Sequence, residues 1–517
     1  MSAMTHRPDR YNASVILDHN LAEGRGGKVA IHTGDQTCTY QQLSELANRT
    51  GNALKELGVE QEQRVLMLLL DTPQFPATFF GAIKIGAVPI PANTVMQPAD
   101  YEYFLNDSRA KAAVVSGPLY KLIEPIRANC KTLKHVVVVD GAPGAPGVID
   151  WQTWVEAASP ALDPADTSPD DIAFWLYSSG STGFPKGAVH LQHDIAVTVE
   201  NYARGVLDMT ENDLCFSGSK LFHAYGLGNN MTFPYGVGAS TVLFPGRPMP
   251  DALFETITRF HPTLFFSVPT MYAAMLAVPD AEKKHDLRSV RLCVSAAEAL
   301  PAEIYRKWKE KFGVEILDGI GSTEMLHIFI SNYPGRVKAG SSGQLVPGYR
   351  AKLTDENGME VPAGEIGDLL ISGDSAAPFY WNKHEKSTHT MRGEWMFTGD
   401  KYHVDADGYY WYDGRSDDML KVGGAWVSPI EVESALIEHP AVLESAVVGA
   451  KDEAGLMKTK AFVVLKEGFQ GSPELVSELQ EFVKGRIAPY KYPRTIEFVA
   501  DLPKTVTGKI QRYKLRQ

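Results

Sequence analysis

The sequence predicts an α/β protein in two parts. Residues 1–416 read as a large N-terminal domain built on parallel sheets and ending in a β-barrel-like unit, and residues 417–517 as a small α+β C-terminal domain. Three observations carry this. A chain of 517 residues exceeds what one compact core accommodates and should divide into two to four units. Short uninterrupted apolar runs alternate with amphipathic stretches over most of the chain, which is the pattern of strands covered on both faces. Past about residue 340 the pattern changes to alternating apolar and polar residues separated by turns.

In chain order, Val65-Leu-Met-Leu-Leu-Leu70 reads as a buried strand, 74–85 as a helix and Gly86-Ala-Val-Pro-Ile90 as the next strand. Ala112-Ala-Val-Val-Ser116, His135-Val-Val-Val-Val-Asp140, Asp171-Ile-Ala-Phe-Trp-Leu176, Thr263-Leu-Phe-Phe-Ser267 and Val290-Arg-Leu-Cys-Val-Ser295 repeat the strand theme. Gly141-Ala-Pro-Gly-Ala-Pro-Gly147 is a surface loop. In the later region Ala351-Lys-Leu-Thr-Asp355, Gly367-Asp-Leu-Leu-Ile-Ser-Gly373 and Gly408-Tyr-Tyr-Trp-Tyr-Asp413 are the barrel-like strands, and 414–421 is a polar joint with the domain boundary at Asp417. Ser428-Pro-Ile-Glu431 is a capping box with Pro at the first helical position. Strands at 445–449 and 459–465 and a helix at 473–487 complete the small domain. No internal repeat is visible.

Composition narrows the class. At 44% hydrophobic and 10% aromatic the chain is an ordinary globular one, and a net charge of -12 argues against a dedicated nucleic-acid binder. From 484 to 517 the balance reverses, with nine Lys/Arg against Glu497 and Asp501; such a patch is either a solvated face or a seat for a polyanionic small molecule. Cys38, Cys130, Cys215 and Cys293 lie far apart, so neither a disulfide framework nor a zinc site is implied. The N-terminus has no apolar signal core, the 65–70 run is too short to span a bilayer, and the final Leu-Arg-Gln is not a peroxisomal signal. The expectation is a reduced, cytoplasmic protein that engages no membrane.

The most informative segment is Tyr177-Ser-Ser-Gly-Ser-Thr-Gly-Phe-Pro-Lys-Gly187. It follows a buried strand and combines glycines, hydroxyls and one lysine. Glycines allow close approach, and successive amides form a nest for phosphate oxygens. It is not a Walker-type loop, because Lys186 precedes Gly187 and not Ser or Thr.

Four further motifs follow in order: Asp318-Gly-Ile-Gly-Ser-Thr-Glu324, Thr398-Gly-Asp400, Gly414-Arg-Ser-Asp417 and Pro503-Lys-Thr-Val-Thr-Gly-Lys-Ile-Gln-Arg512. The five together resemble the adenylate-forming superfamily of acyl-CoA synthetases, peptide-synthetase adenylation domains and luciferases, over essentially the whole chain. Within it, Lys220-Leu-Phe-His-Ala-Tyr-Gly226, Gly321-Ser-Thr-Glu-Met-Leu-His-Ile-Phe329 and Asp417-Asp-Met-Leu-Lys-Val-Gly-Gly424 look most like benzoate-CoA and hydroxybenzoate-CoA ligases. The resemblance implies an N-terminal domain with two parallel-sheet α/β subdomains and a mobile C-terminal domain.

It also implies a chemistry. A carboxylate does not accept a thiol directly, because oxide is a very poor leaving group; transfer of AMP makes a mixed anhydride with a good one. The first half-reaction then needs ATP held in line with the acid. By resemblance Ser178, Ser179, Gly180, Ser181, Thr182, Gly183 and Lys186 hold the phosphates, and Glu324, with Thr323 beside it, binds Mg²⁺. Adenine lies between Ser295-Ala296-Ala297 and Asp318-Gly319-Ile320, where many relatives offer an aromatic ring in place of Ile320. Asp400 accepts from the ribose hydroxyls and Arg415 donates to the ribose or α-phosphate. Lys509 matches the adenylation lysine, and Thr182 and Glu324 act with it. Lysine acetylation of Lys509 by an acetyltransferase would remove its charge and act as an off switch.

For the second half-reaction the small domain rotates about the hinge at Asp417, bringing Gly423 and Gly424 against the path of the CoA pantetheine arm, while His223 moves to open the thiol route. Ala224, Tyr225, Gly226, Gly321, His327 and Ile328 fall where benzoate-type relatives line the acyl pocket. The set is compact and mostly flat, which suits an aryl ring. Tyr225 or His327 can meet a ring hydroxyl, or His327 can instead satisfy a neighbouring helix end. His223 replaces the Phe of some benzoate ligases and offers no anion for an amino-acid ammonium.

The expected activity is therefore an AMP-forming aryl-CoA ligase. Alternatives are a medium-chain or alicyclic acyl-CoA synthetase, an enzyme loading a carrier protein, a luciferase-like oxygenase and a silent nucleotide-binding relative. Oligomeric state stays open, a homodimer included.

Overall fold

A computed structural model describes residues 8–141, 145–178, 185–416, 418–422, 425–451, 457–504 and 510–516. A first sheet has five strands, all parallel, in the order Val88–Pro91, Arg64–Leu68, Ala112–Ser116, His135–Val139, Val148–Asp150. Its inner runs are mostly apolar because helices cover them; Phe75, Phe79 and Phe80 of the helix Gln74–Lys84 are fully buried.

A second sheet has nine strands. Its middle is parallel, running Ile316–Gly321, Leu292–Ser295, Leu264–Ser267, Leu214–Ser217, Ser240–Val242, Val29–Thr33. Antiparallel strands close each edge: Ile328–Ser331 and Gln344–Leu345 on one side, Gln36–Thr39 on the other. Ligands of parallel sheets sit beyond the C-terminal strand ends. Ser295 and Asp318, paired across neighbouring strands, lie at those ends.

The barrel-like region is a five-stranded antiparallel sheet of Arg350–Thr354, Gly367–Ser372, Trp395–Val404, Met391–Arg392 and Tyr410–Arg415. Ile172–Ser178 and Lys186–Leu191 form a separate two-stranded ribbon in which Ser178 pairs with Lys186.

The small C-terminal unit packs the helices Pro429–Ile437 and Pro473–Lys484 on a three-stranded sheet, Val442–Lys451, Met457–Leu465, Thr495–Phe498. Its first helix carries half of the expected capping box. The Ser428 hydroxyl accepts from the Glu431 amide at 3.1 Å, but the Glu431 carboxylate accepts from Lys491 at 2.5 Å instead of turning back to the cap. An ammonium within reach outcompetes a neutral backbone N–H for a carboxylate. Asp417, the expected boundary, lies outside the described residues.

Candidate active site

The ribbon pairs Ser178 with Lys186, on either side of the glycine- and hydroxyl-rich segment in sequence; Ser179, Gly180, Ser181, Thr182 and Gly183 lie outside the described residues. Lys186 is half-buried, and burial lowers its pKa against the opposing pull of Glu324. Its ammonium donates to the Tyr380 hydroxyl at 3.3 Å, and that hydroxyl donates to Glu324 Oε1 at 2.6 Å. The Ser178 hydroxyl stands 3.5 Å from the same oxygen. The hairpin thus brings lysine and carboxylate, 138 positions apart by their residue numbers, to one spot.

Glu324 sits in a constrained turn. Leu326 takes a positive φ of 65°, a costly conformation for a branched side chain. The turn is held by its backbone: His190 bridges the Thr323 carbonyl (2.8 Å) and Asp194 (2.7 Å) through its two ring nitrogens, and stacks on Phe174. His190 and Asp194 are fully buried. Neither stands out in the sequence, since a histidine on an apolar strand gives no hint of a partner 133 residues away.

Around the expected adenine position, Ala297 also has a positive φ, 78°. The Asp318 carboxyl is 4% exposed; Oδ2 accepts from the Leu300 amide at 3.2 Å, while Oδ1 and the Ser295 hydroxyl have no hydrogen-bond partner. Burial pushes Asp318 up to about 8. It therefore holds its proton at neutral pH and can donate as well as accept. Ala296 is buried, and Gly319 and Ile320 pair with Ser331 and Ile330 on the edge strand, which turns the Ile320 segment into packed sheet. On the antiparallel sheet Asp400 and Arg415 are directly opposite, with Arg415 Nη1 3.1 Å from Asp400 Oδ1 and 3.0 Å from the Thr398 carbonyl.

The acyl-pocket residues gather around His327, itself 2% exposed. Tyr202, Tyr225 and Phe233 surround its ring at centroid distances of 5.3, 5.6 and 4.4 Å. Its Nε2 faces the Asn229 side-chain oxygen at 3.1 Å and the Tyr225 carbonyl at 3.3 Å, both acceptors, so this nitrogen carries the proton. Burial lowers its pKa to about 3, so the ring is neutral. Nδ1 is left as a buried lone pair with no partner. The histidine thus satisfies a helix segment with one nitrogen and keeps the other in reserve.

Tyr225 does not share the polar role expected of it. Its hydroxyl is committed to the Ser267 and Val294 carbonyls at 3.2 and 3.0 Å, the second shared with the Tyr272 hydroxyl. Gly226 is demanded by packing, since a Cβ there would stand 2.1 Å from the Lys220 carbonyl oxygen. Ile328 pairs with Gly321. His223 precedes the short helix Ala224–Leu227, its ring 4.5 Å from that of Phe222.

In the C-terminal unit Gly423, Gly424 and Lys509 lie outside the described residues. Their flanks are described. Lys504 pairs with Ile510 as an isolated bridge, and the Gln511 amide donates to the Pro503 carbonyl at 2.7 Å. Lys504 pairs with Glu444 at 2.7 Å and Arg512 with the buried Glu433 at 2.7 Å.

Among the described residues no cluster of three His, Cys, Asp or Glu could cage a metal ion. One carboxylate beside a lysine instead suits Mg²⁺ carried in on phosphate oxygens, which needs few protein ligands. No helix among the described residues is long and apolar enough to cross a membrane.

Two α/β sheets, a phosphate-type ribbon and a small basic-tailed domain define an enzyme that handles a nucleotide and a second substrate side by side. Residues 18–381 match the AMP-binding enzyme family and 431–509 the AMP-binding enzyme C-terminal domain, and the chain belongs to this family. It is 54% identical to a benzoate–CoA ligase of Thauera aromatica, covering 98% of this chain and 96% of that one. It is 47% identical to a 4-hydroxybenzoate–CoA/benzoate–CoA ligase of Rhodopseudomonas palustris, covering 98% and 94%. Among solved structures it resembles an anthranilate CoA ligase in complex with anthranoyl-AMP (49% identity, 98% and 97% coverage, TM-score 0.94). It likewise resembles a benzoate CoA ligase from Burkholderia xenovorans LB400 (49%, 98% and 100%, 0.90).

Proposed function

We infer that the chain is an AMP-forming aryl-CoA ligase. It converts benzoate or a hydroxybenzoate, ATP and CoA to aroyl-CoA, AMP and diphosphate through an aroyl-adenylate. The observation that carries this reading is the full-length likeness to a benzoate–CoA ligase at 54% identity.

In the adenylation step Lys186 and the adjoining loop, with Ser178, Ser181 and Thr182, hold the β- and γ-phosphates. Glu324 is the protein ligand for Mg²⁺, which when bound neutralises charge on the phosphate oxygens. Asp400 and Arg415 fix the ribose and α-phosphate. Their mutual contact at 3.1 Å pre-sets both side chains. Lys509 reaches the carboxylate and α-phosphate oxygens and stabilises charge building at the transition state. Rotation of the 417–517 domain about Asp417 then withdraws Lys509 and opens the pantetheine path past Gly423 and Gly424.

His327 sets ring preference. A neutral histidine with a free, buried Nδ1 accepts a hydrogen bond and cannot give one, so it favours a ring bearing a hydroxyl or amino donor. Acetylation of Lys509 would suppress the first half-reaction by removing its charge. A cytoplasmic location matches the supply of ATP and CoA. A homodimer is compatible with this chemistry but not required, because every assigned residue comes from one chain.

The test is AMP release with ATP, Mg²⁺ and CoA across benzoate, the three hydroxybenzoates, 2-aminobenzoate, cyclohexanecarboxylate and octanoate. Turnover confined to aryl acids is expected. Turnover on octanoate alone would keep the mechanism and discard the pocket assignment.

A further inference from the structure

Tyr380 has no role in the scheme above, yet its hydroxyl joins the Lys186 ammonium to the Glu324 carboxylate. Its hydroxyl accepts from the Lys186 ammonium at 3.3 Å and donates to Glu324 Oε1 at 2.6 Å. The same ammonium rests 4.4 Å from the centre of the Tyr380 ring. The ring is 2% exposed, so the hydroxyl is held in one place.

The backbone around it is fixed from several sides. The Ala377 amide donates to the Glu324 carbonyl at 2.7 Å. The Tyr380 amide donates to the Ser387 hydroxyl at 2.9 Å. Val189 donates to the Phe379 carbonyl at 3.2 Å and Trp381 donates to the Gly187 carbonyl at 2.8 Å, so the segment runs beside the ribbon strand that carries Lys186. Trp381 then stacks on Trp175 of the other ribbon strand and donates to the Asp107 carbonyl. One short segment is thereby fastened to the ribbon, to the Glu324 turn and to the helix Pro98–Ser108.

We propose that Tyr380 is a positioning residue for nucleotide binding, a hydroxyl spacer that keeps Lys186 and Glu324 poised at hydrogen-bond range and stops them from closing into a direct ion pair. The inference rests on the ligase reading for the tasks of those two residues. A lysine and a glutamate this close, half-buried, attract each other strongly. If they paired directly, incoming Mg-ATP would have to break the pair before it could use either charge. With the hydroxyl between them, each charge is solvated by one strong bond that the phosphates and the metal can replace without a large rearrangement.

Tyr380→Phe keeps the ring, its packing and the ammonium over its face, and removes only the spacer. The measurement is the affinity for Mg-ATP by titration calorimetry with neither acid nor CoA present, backed by KM values for ATP, acid and CoA. The expected result is Mg-ATP binding about ten- to thirtyfold weaker, the scale of one charge-assisted hydrogen bond. KM for ATP should rise in parallel, with KM for acid and CoA and the melting temperature unchanged. Affinity that is unchanged or tighter in Tyr380→Phe overturns the proposal and leaves the ligase reading intact. A rise in all three KM values together, or a drop in melting temperature, would mark a general structural role and also overturns it. Wild-type protein that fails to bind Mg-ATP at all sinks both readings at once.

Discussion

Arg512→Met should loosen the C-terminal unit and, with it, adenylation. Glu433 is 6% exposed and lies against Arg512 as a two-pronged pair, Nη2 to Oε2 at 2.7 Å and Nε to Oε1 at 3.2 Å. The same carboxylate accepts the Val447 amide at 2.6 Å. Removing one partner of such a pair costs about 3–5 kcal/mol, because the remaining charge stays buried and uncompensated. That predicts amide exchange around Val447 faster by roughly two to three and a half orders of magnitude at neutral pH. The pH dependence has a defined sign. Burial already raises the Glu433 pKa in the intact pair, and loss of the guanidinium raises it further. A raised folded pKa means stability that is present below the unfolded carboxyl value and lost as pH rises through the folded one. The defect should therefore be milder at pH 5 than at pH 8. Glu433→Met combined with Arg512→Met should recover part of the loss, since an apolar pair removes the stranded charge. A loss that is independent of pH, or a double variant whose loss equals the sum of the singles, would falsify the reasoning.

Three further outcomes are expected. Lys509→Ala should strongly impair adenylation and spare thioester formation from supplied aroyl-adenylate; equal loss in both half-reactions would contradict the two-conformation scheme. Gly228→Ala should abolish aryl-acid turnover and destabilise the fold by about 1–3 kcal/mol from overpacking, because a Cβ there would lie 2.4 Å from His327 Cδ2; denaturation and kinetics read the two effects. His403 is hydrogen-bonded to Asp413 at 2.9 Å, which raises its pKa. Its stabilisation is present below the unfolded histidine value of about 6.5 and is lost as pH rises through the higher folded value. His403→Gln should therefore flatten urea-denaturation stability across that window, and an unaltered pH profile would rule the contact out as a contributor.

Much of the fold was legible because burial leaves long apolar runs. Ala112–Ser116 matches its expected bounds, and His135–Val139 ends one residue short. The strands Leu214–Ser217 and Ser240–Val242 are not marked in the sequence, since Leu-Cys-Phe-Ser and Ser-Thr-Val are short and mix polar with apolar residues. The site divides in the same way. Lys186, Glu324, Asp400 and Arg415 stand in local motifs. Tyr380, His190 and Glu433 act through partners 56, 133 and 79 residues away, and nothing nearby in the chain marks them. The Tyr225 hydroxyl went the other way: its chemistry was legible, but strand ends that claim it were not.

The ribbon of Ile172–Ser178 and Lys186–Leu191 belongs to neither parallel sheet. Two-stranded ribbons are marginal by themselves, so this one borrows its rigidity from the segment that ends in Trp381. Its side chains are anchored on both sides, Phe174 and Leu176 in one core and Trp175 and Val189 in the other. Through His190, which holds the Thr323 carbonyl, the ribbon is also tied to the turn that carries both Glu324 and His327, so nucleotide grip and aryl pocket share one hinge point. Substitutions around His327 should therefore register in ATP affinity as well as in ring preference.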